Sequence, residues 1–554
     1  MKKIYALLTI ASLTRNEVSA QSLDFEWAKV EGKYAYDYGY GITTDNLGNV
    51  YIAGKYEENA IFSGVVLPNE GNHDIYVAQY SPSGNLNWIR TAGGFNGDYA
   101  RCITTNGTDK VYISGEIEDG NASVFFHGSS TILYPKGNND LFIACYDLNG
   151  TLQWAMRDGD VDNEKANGIA LDPSGNIVVC GHFDDTTKFG NTTSAISKGD
   201  HDMLVAKYDP NGNFLWMKHG GGPGLDDAHA IVCDQAGNIY VAGVYADSAE
   251  FGGTTYTVAT TAWGKFSDGY IAKYDPNGNL VWFKVIGAEY TDAAWSIAID
   301  GADKLYVTGE FTSGQFNNGT TYWSYGKEDM FVACYDTDGN CQWVNHAGGN
   351  VTDRGRGIGV DGNTILVTGQ VGLTANFGSV NVTAADSEDV FVAAYDNAGN
   401  FLWVRAVGGT PDSLELAGYE SGNAVCGNSG VVYATGALLN NGVFLHDSLG
   451  CYSRTDVFLT KLSSGAGSSS GIDPINEAHV SVYPNPASEK LRIDLKGQVR
   501  NAGAILVNAL GETVYAGMLS SPETTINVAN YDKGVYVLRV SSNDRTFTRK
   551  IIIQ

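Results

Sequence analysis

Seven copies of one unit run along this chain of 554 residues, and a chain built that way folds by repeating one small sheet. An Asp opens an apolar strand and a Trp follows at a fixed distance: DIYVAQYSPSGNLNW runs from Asp74 to Trp88. The same frame spans Asp140 to Trp154, Asp202 to Trp216, Asp268 to Trp282, Asp329 to Trp343 and Asp389 to Trp403, each interval 14 residues. A second frame, strands of the NIYVAG kind, ends at Gly54, Gly115, Gly181, Gly243, Gly309, Gly369 and Gly436. Those glycines are 60 to 67 residues apart, so length variation falls in loops while the strand frame is held.

Each unit carries four strand signals: a short apolar stretch such as GIALD, the NIYVAG strand, the strand from the Asp to a Tyr six residues on, and the Trp strand. DPSGN and DQAGN segments join the first two, and DPNGN and DNAGN join the last two. Asp, Asn and Gly tolerate positive φ and cap their own turns, so these are hairpins. Four antiparallel strands repeated radially predict an all-β fold with a β-propeller of seven blades. The array's ends agree. The seventh unit has its Asp456 strand, DVFLTKL, but Ser470 stands where its Trp belongs, while a spare Trp strand, DFEWAKV around Trp27, precedes the first unit. The N-terminal strand is therefore expected to close the last blade and remove two open sheet edges.

These residues resemble the bacterial SBBP-type β-propeller repeat, whose pattern IAxDxxGNxYVxG followed by DxFVxKYDxxGNxxW covers roughly residues 22–462 here. The resemblance implies a seven-bladed fold and no particular activity, because propellers host enzymes, receptors and scaffolds alike. Abundant Gly, Tyr and Trp fit an all-β chain.

A residue present once per blade is first a structural residue. The strand-three Asps are expected to bond backbone amides at a turn, and the Trp residues to pack between blades. DTDGN at Asp336–Asn340 is like a calcium loop but lacks the later Glu and aligns with plain hairpin turns. A less regular set stands five residues before the first-strand Ile or Val: Asp37, Asp98, Asp226, Asp292, Asp353 and Glu420, with Asn163 nearby and shifted by one in the third blade. Gathered at a channel rim, these acids would attract cations, with Ca2+ the cofactor they suggest. Aromatics outside the frame, Trp263, Trp295, Trp323 and Tyr38 (one of a cluster with Tyr34, Tyr36 and Tyr40), are candidates for stacking on carbohydrate.

Eight cysteines allow disulfides, and Cys334–Cys341 and Cys426–Cys451 are the expected pairs. No GxSxG, HExxH or phosphate loop occurs. A formal net charge of −27 repels phosphate backbones, which argues against nucleic acid as a partner. Lys2 and Lys3, the apolar run Ile4–Leu13 and Val18-Ser19-Ala20 read as a signal peptide over 1–20, cut after Ala20. No apolar run is long enough for a transmembrane segment.

After a Ser/Gly linker over 463–478, the pattern changes to VSVYPNPASEKLRIDL, AILVNALGETVYAG and KGVYVLRV, and ends in RKIIIQ. Nine basic against six acidic residues from His479 onward reverse the charge balance. Short alternating strands predict an Ig-like β-sandwich over 479–554. This segment resembles the type A sorting domain of the type IX (Por) secretion system of Bacteroidetes. The match rests on YPNPA (including Pro484, Asn485 and Pro486), LGETVY, KGVYVLRV (including Gly534 and Tyr536) and the basic terminus with Lys550. The resemblance implies passage through the inner membrane, folding in the periplasm, then export directed by this domain and released or surface-attached cargo. The expected function is a secreted or cell-surface binding or adhesion protein, with a glycan as one ligand class. The alternative is a polysaccharide hydrolase or lyase using channel-rim carboxylates.

Overall fold

The structure is a computed structural model that describes residues 23–32, 35–118, 123–190, 193–261, 264–409, 420–439, 442–444, 447–449, 455–463, 480–483, 486–495, 502–508, 513–519, 523–529, 531–542 and 545–554. Ala20, Tyr34, Trp263, Cys451, Pro484 and Asn485 lie outside them. The described residues contain strands and no helix, so none offers a helix able to cross a membrane.

The described residues up to Ser463 form one compact body. Within it the four strand signals of each unit become a four-stranded antiparallel meander, and seven such meanders follow one another. The second and third strands are buried on both faces, as in Val50–Tyr56 with Asp74–Tyr80 and Leu305–Phe311 with Asp329–Tyr335. A strand buried on both faces needs a sheet against each of them, which is what flanking units supply. Its side chains interleave with theirs: Phe142 of the second unit shares a cluster with Val77 of the first, and Phe331 of the fifth with Ile271 of the fourth. Each fully buried large apolar side chain contributes about 1.5–3 kcal/mol.

The first strands are neighbours in cyclic order, and the last of them, Ser421–Asn428, lies beside the first, Tyr38–Thr44. The ring is joined by the chain's own beginning. Asp24–Glu31 pairs antiparallel with Thr455–Ser463, Trp27 facing Lys461 and Ala28 facing Thr460, as the missing fourth strand of the last unit. The seam is made like the others. Trp27 Nε1 donates to the Pro82 carbonyl at 3.2 Å, as Trp88 donates to Leu148 at 2.9 Å, Trp282 to Thr337 at 3.1 Å and Trp343 to Asn397 at 3.3 Å. In each case an indole lies on the next unit's hairpin, where a glycine is required: a Cβ on Gly150, at φ +75°, would meet the Trp88 ring at 2.6 Å.

The cysteines differ from expectation. Cys334 and Cys341 are free. Cys334 faces Trp343 while Cys341 faces Tyr335, and the two thiols join separate hydrophobic clusters on opposite sides of their sheet. Cys426 is also a free thiol, and its expected partner is not among the described residues.

The described residues from Val480 onward form the second body. A three-stranded sheet (Val480–Tyr483, Lys490–Leu495, Glu523–Asn527) and a four-stranded one (Ala502–Val507, Thr513–Leu519, Gly534–Ser542, Arg545–Ile553) share a core that includes Leu491, Ile493, Leu506, Leu538 and Ile551. Tyr536 is buried in that core and donates its hydroxyl to the Asp532 carbonyl at 2.7 Å; Pro486, Gly534 and Lys550 are exposed.

Candidate functional site

Every first strand carries a β-bulge at the same place. The register slips between Gly39 and Gly41, Ala100 and Cys102, Ala166 and Gly168, Ala228 and Ala230, Ala294 and Ser296, Gly355 and Gly357, and Gly422 and Ala424. The residue inside each slip is unpaired, and a bulge re-aims its side chain. Those seven residues, Tyr40, Arg101, Asn167, His229, Trp295, Arg356 and Asn423, line one central cavity of about 270 Å³. Two positions further on, Ile42, Ile103, Ile169, Ile231, Ile297, Ile358 and Val425 form an apolar belt in the same lining. Flanking residues are small, Gly, Ala, Ser or Cys, which lets seven strands converge.

The bulge side chains reach from unit to unit. Asn167 Nδ2 donates to Asp227 Oδ1 at 2.9 Å and Asn423 Nδ2 to the Gly39 carbonyl at 2.9 Å. His229 lies against Trp295, centroids 4.2 Å apart, and the Arg356 guanidinium stands 5.5 Å from the indole centroid. Arg101 lies 5.6 Å from the Tyr40 ring, and Tyr40 stacks on Tyr38 at 5.7 Å.

The charges around this mouth are mostly matched. Glu116 takes Arg101 through two bonds of 2.6 Å, and Glu310 pairs with Arg354 while accepting Trp295 Nε1 at 3.3 Å. Against the desolvation that burial imposes, His182, His229 and His201 hold the Asp227 carboxyl down to about 2. Arg356 differs. Its Nε donates to the neutral Gln370 carbonyl at 3.0 Å, and among the described residues no carboxylate lies within ion-pair distance of it. Burial, then the charge of Arg354, lower its pKa, as expected of a cation that an anion would relieve.

Of the sequence candidates, Trp295 lines this cavity, and Tyr38 stands behind it, stacked on the lining Tyr40. Trp323, 60% exposed, lies on the edge strand Thr321–Trp323, paired with Ser313–Gln315 outside the four-stranded frame. Trp263 falls outside the described residues.

The acids expected at a cation-attracting channel rim lie buried at the seams between units. Asp37, Asp98, Asp226, Asp292, Asp353 and Glu420 are all buried. Asp98 accepts the Gly94 and Glu118 amides, Asp226 those of Gly222 and Ala246, Asp292 those of Ala288 and Thr312, and Asp353 those of Gly349 and Gly372. Each of these four ties the amide four residues before it, at the end of the preceding unit, to the end of its own unit's second strand. In the third unit the seat belongs to Glu164, buried and five residues before Ile169, and not to Asn163.

The strand-three Asps lie at the same seams. Asp74, Asp140, Asp202, Asp329 and Asp389 accept the amide four residues upstream. Gly159 and Gly287 separate the two acids of a seam, for a Cβ on Gly287 would meet Asp268 at 2.7 Å and Asp292 at 2.9 Å. Burial, joined by the neighbouring carboxylate, raises Asp98 and Glu164 to about 8 and Asp226 and Asp353 to about 7.

Comparison with known proteins bears on the two ends of the chain. Residues 481–554 match the family model of the secretion system C-terminal sorting domain, and residues 30–55 match that of the β-propeller repeat. The chain thus carries a propeller repeat and a type IX sorting domain, which directs export to the cell surface or beyond through the type IX machinery. An uncharacterized WD repeat-containing protein of Acanthamoeba polyphaga mimivirus is 24% identical over 421 residues, 62% of this chain and 30% of the relative. The regulatory protein FlaEY of Caulobacter vibrioides is 25% identical over 187 residues, 32% of this chain and 19% of its own length. Both relatives therefore extend well beyond what this chain spans. Among solved structures, the quinohemoprotein alcohol dehydrogenase of Comamonas testosteroni aligns over 85% of this chain and 80% of its own, at 10% identity and TM-score 0.38. PorZ of the Porphyromonas gingivalis type IX secretion system aligns over 95% and 100%, at 10% identity and TM-score 0.17.

Proposed function

We propose that this chain is a surface or secreted binding protein, exported by the type IX system, whose channel mouth takes an acidic sugar terminus. One observation carries the reading. Arg356 stands over the indole of Trp295 in a cavity also lined by the Asn167 and Asn423 amides, with its Nη groups bonded to no carboxylate among the described residues. An aromatic face, amides and a guanidinium fork suit a sugar bearing a carboxylate. A cavity of about 270 Å³ is small beside drug-sized sites, which favours one sugar unit over a long chain. The matching of Glu116, Glu310 and Asp227 to basic partners favours binding over the hydrolase or lyase alternative, which needs carboxylates free for proton transfer.

In the same reading the ring is a seven-bladed propeller over 22–462, residues 1–20 are a signal peptide, 463–478 a tether and 479–554 an Ig-like sorting sandwich. The test is a glycan array. Binding should concentrate on uronate- or sialate-terminated glycans over their neutral counterparts, and a profile blind to the carboxylate would contradict the assignment.

A further inference from the structure

A second group of side chains stands on the shoulder of this mouth. The third unit's second strand, Ile177–Phe183, ends in His182-Phe183 and Asp184 follows directly, and residues two apart in extended chain point to the same side. In the antiparallel pair, Phe183 faces Asp202 and His182 faces Met203, so the register carries Asp184 opposite His201. One ligand atom from each of His182, Asp184 and His201 lies within 4.8 Å of the other two. None of the other six units repeats this His/Asp/His combination at these positions, so the strand frame does not demand it.

The contacts around the trio leave one buried ring nitrogen, His182 Nε2, without a partner among the described residues. His182 is 5% exposed, and its Nε2 makes no hydrogen bond among the described residues. Its Nδ1 lies 3.0 Å from Asp227 Oδ1, which turns Nε2 away from Asp227. Asp184 Oδ2 accepts Asn163 Nδ2 at 2.7 Å, while Asp184 Oδ1 is buried and without a hydrogen bond, 3.4 Å from His201 Nε2. A buried imidazole nitrogen left this way is costly unless something completes it.

We propose that His182, Asp184 and His201 bind a divalent transition-metal ion. Two imidazoles and one carboxylate suit borderline cations such as Zn2+ or Co2+ and disfavour Ca2+ or Mg2+, which prefer oxygen. Asp227 behind His182 and Asn163 behind Asp184 are the supports such ligands take. The two imidazoles stack with centroids 4.3 Å apart and planes 1° apart. In-plane lone pairs of parallel rings do not meet at one point, so one ring turns on loading. His201, its side chain a third exposed, is free to do so. Because Asp227 also holds Asn167, the ion would sit one residue behind the channel lining. The site does not depend on the sugar reading.

Chelator-treated full-length protein titrated calorimetrically with Zn2+, and with Co2+ followed by visible absorption, tests this. Wild type should take up one tight equivalent, develop the ligand-field bands of a nitrogen- and oxygen-bound cobalt, and melt at a higher temperature. His201→Ala and Asp184→Asn should each bind at least about tenfold more weakly, with metal-free melting close to wild type, a comparison that guards against misfolding. Equal affinity of wild type and both variants, or no uptake of either metal by wild type, would overturn the proposal.

Discussion

The imidazole of His229 lies flat on the indole of Trp295, planes 11° apart, although the two residues belong to different units and are 66 positions apart in the chain. Both are bulge residues of neighbouring first strands, so the stack exists only because two sheets slip at the same point. Trp295→Ala removes the surface that His229 and Arg356 share. It should weaken glycan binding by about two- to tenfold, since an aromatic contact of this kind is worth roughly 0.5–1.5 kcal/mol beyond burial. Stability should fall little, because Trp295 faces the cavity and lies outside the hydrophobic clusters. Calorimetric titration and thermal melting of the same sample check both halves.

Closure by the N-terminal strand gives Trp27 the task that Trp88 has one seam later. Trp27→Ala should therefore cost about as much as Trp88→Ala, on the order of 2–4 kcal/mol for a partly buried indole. Urea unfolding of the two variants side by side measures this. A Trp27→Ala protein as stable as wild type, beside a weakened Trp88→Ala, would show that the first strand does not complete the ring.

The seam acids set the sign of the pH dependence. Burial and a neighbouring carboxylate raise Asp98 and Glu164 to about 8, and burial raises Asp74 to about 7. A carboxyl with a raised pKa in the folded state holds its proton there after the unfolded chain has lost it, so each pH unit above about 4 favours unfolding until the folded pKa is passed. The melting temperature should thus be higher near pH 5 than near pH 8, opposite to the trend of proteins held by ionised, paired carboxylates. Self-repulsion from a charge of −27 acts in the same direction but is screened by salt. The trend should persist at high ionic strength and weaken in Asp74→Asn, whose Oδ1 has no hydrogen-bond partner to lose.

The repeat was legible because strand alternation and turn chemistry are local. Asp74, Gly54 and Trp88 recur at fixed spacing, and the spare Trp27 strand identified the closure. The acids were found for their recurrence, but Asp98 and its counterparts carry no mark that separates a solvated rim from an amide staple. Both need an acid just before a strand, and only the preceding unit's chain end, brought alongside by the ring, decides. Asn163 drew attention away from Glu164, though counting five residues back from Ile169 finds the glutamate. The channel residues were hidden for another reason. Tyr40, Arg101, Asn167, His229, Trp295, Arg356 and Asn423 share no chemistry, and a bulge leaves no composition of its own. Their one common sign is a variable residue between two small ones, two positions before the belt Ile or Val. Trp295 was noticed because it is an aromatic out of frame, and Arg356 was not.

The sorting domain has its own core, formed by Leu491, Leu506 and Leu538 among others, and it follows a Ser/Gly stretch. Deleting residues 479–554 should leave the ring's thermal transition in place while the protein accumulates in the periplasm of the producing cell. Fractionation with a surface-protease assay reads the outcome, and normal surface display of the truncated chain would contradict the assigned route.

The guanidinium of Arg356 is where the binding account is most exposed. Calorimetric titration of a uronate-terminated oligosaccharide into wild type and Arg356→Ala should show affinity falling at least about tenfold in the variant, as for loss of a charge-assisted pair. The neutral, carboxyl-reduced sugar should bind both proteins equally and weakly. Equal affinity of the two proteins for the acidic sugar, or no measurable binding to wild type, would contradict the assignment of the channel mouth as its site.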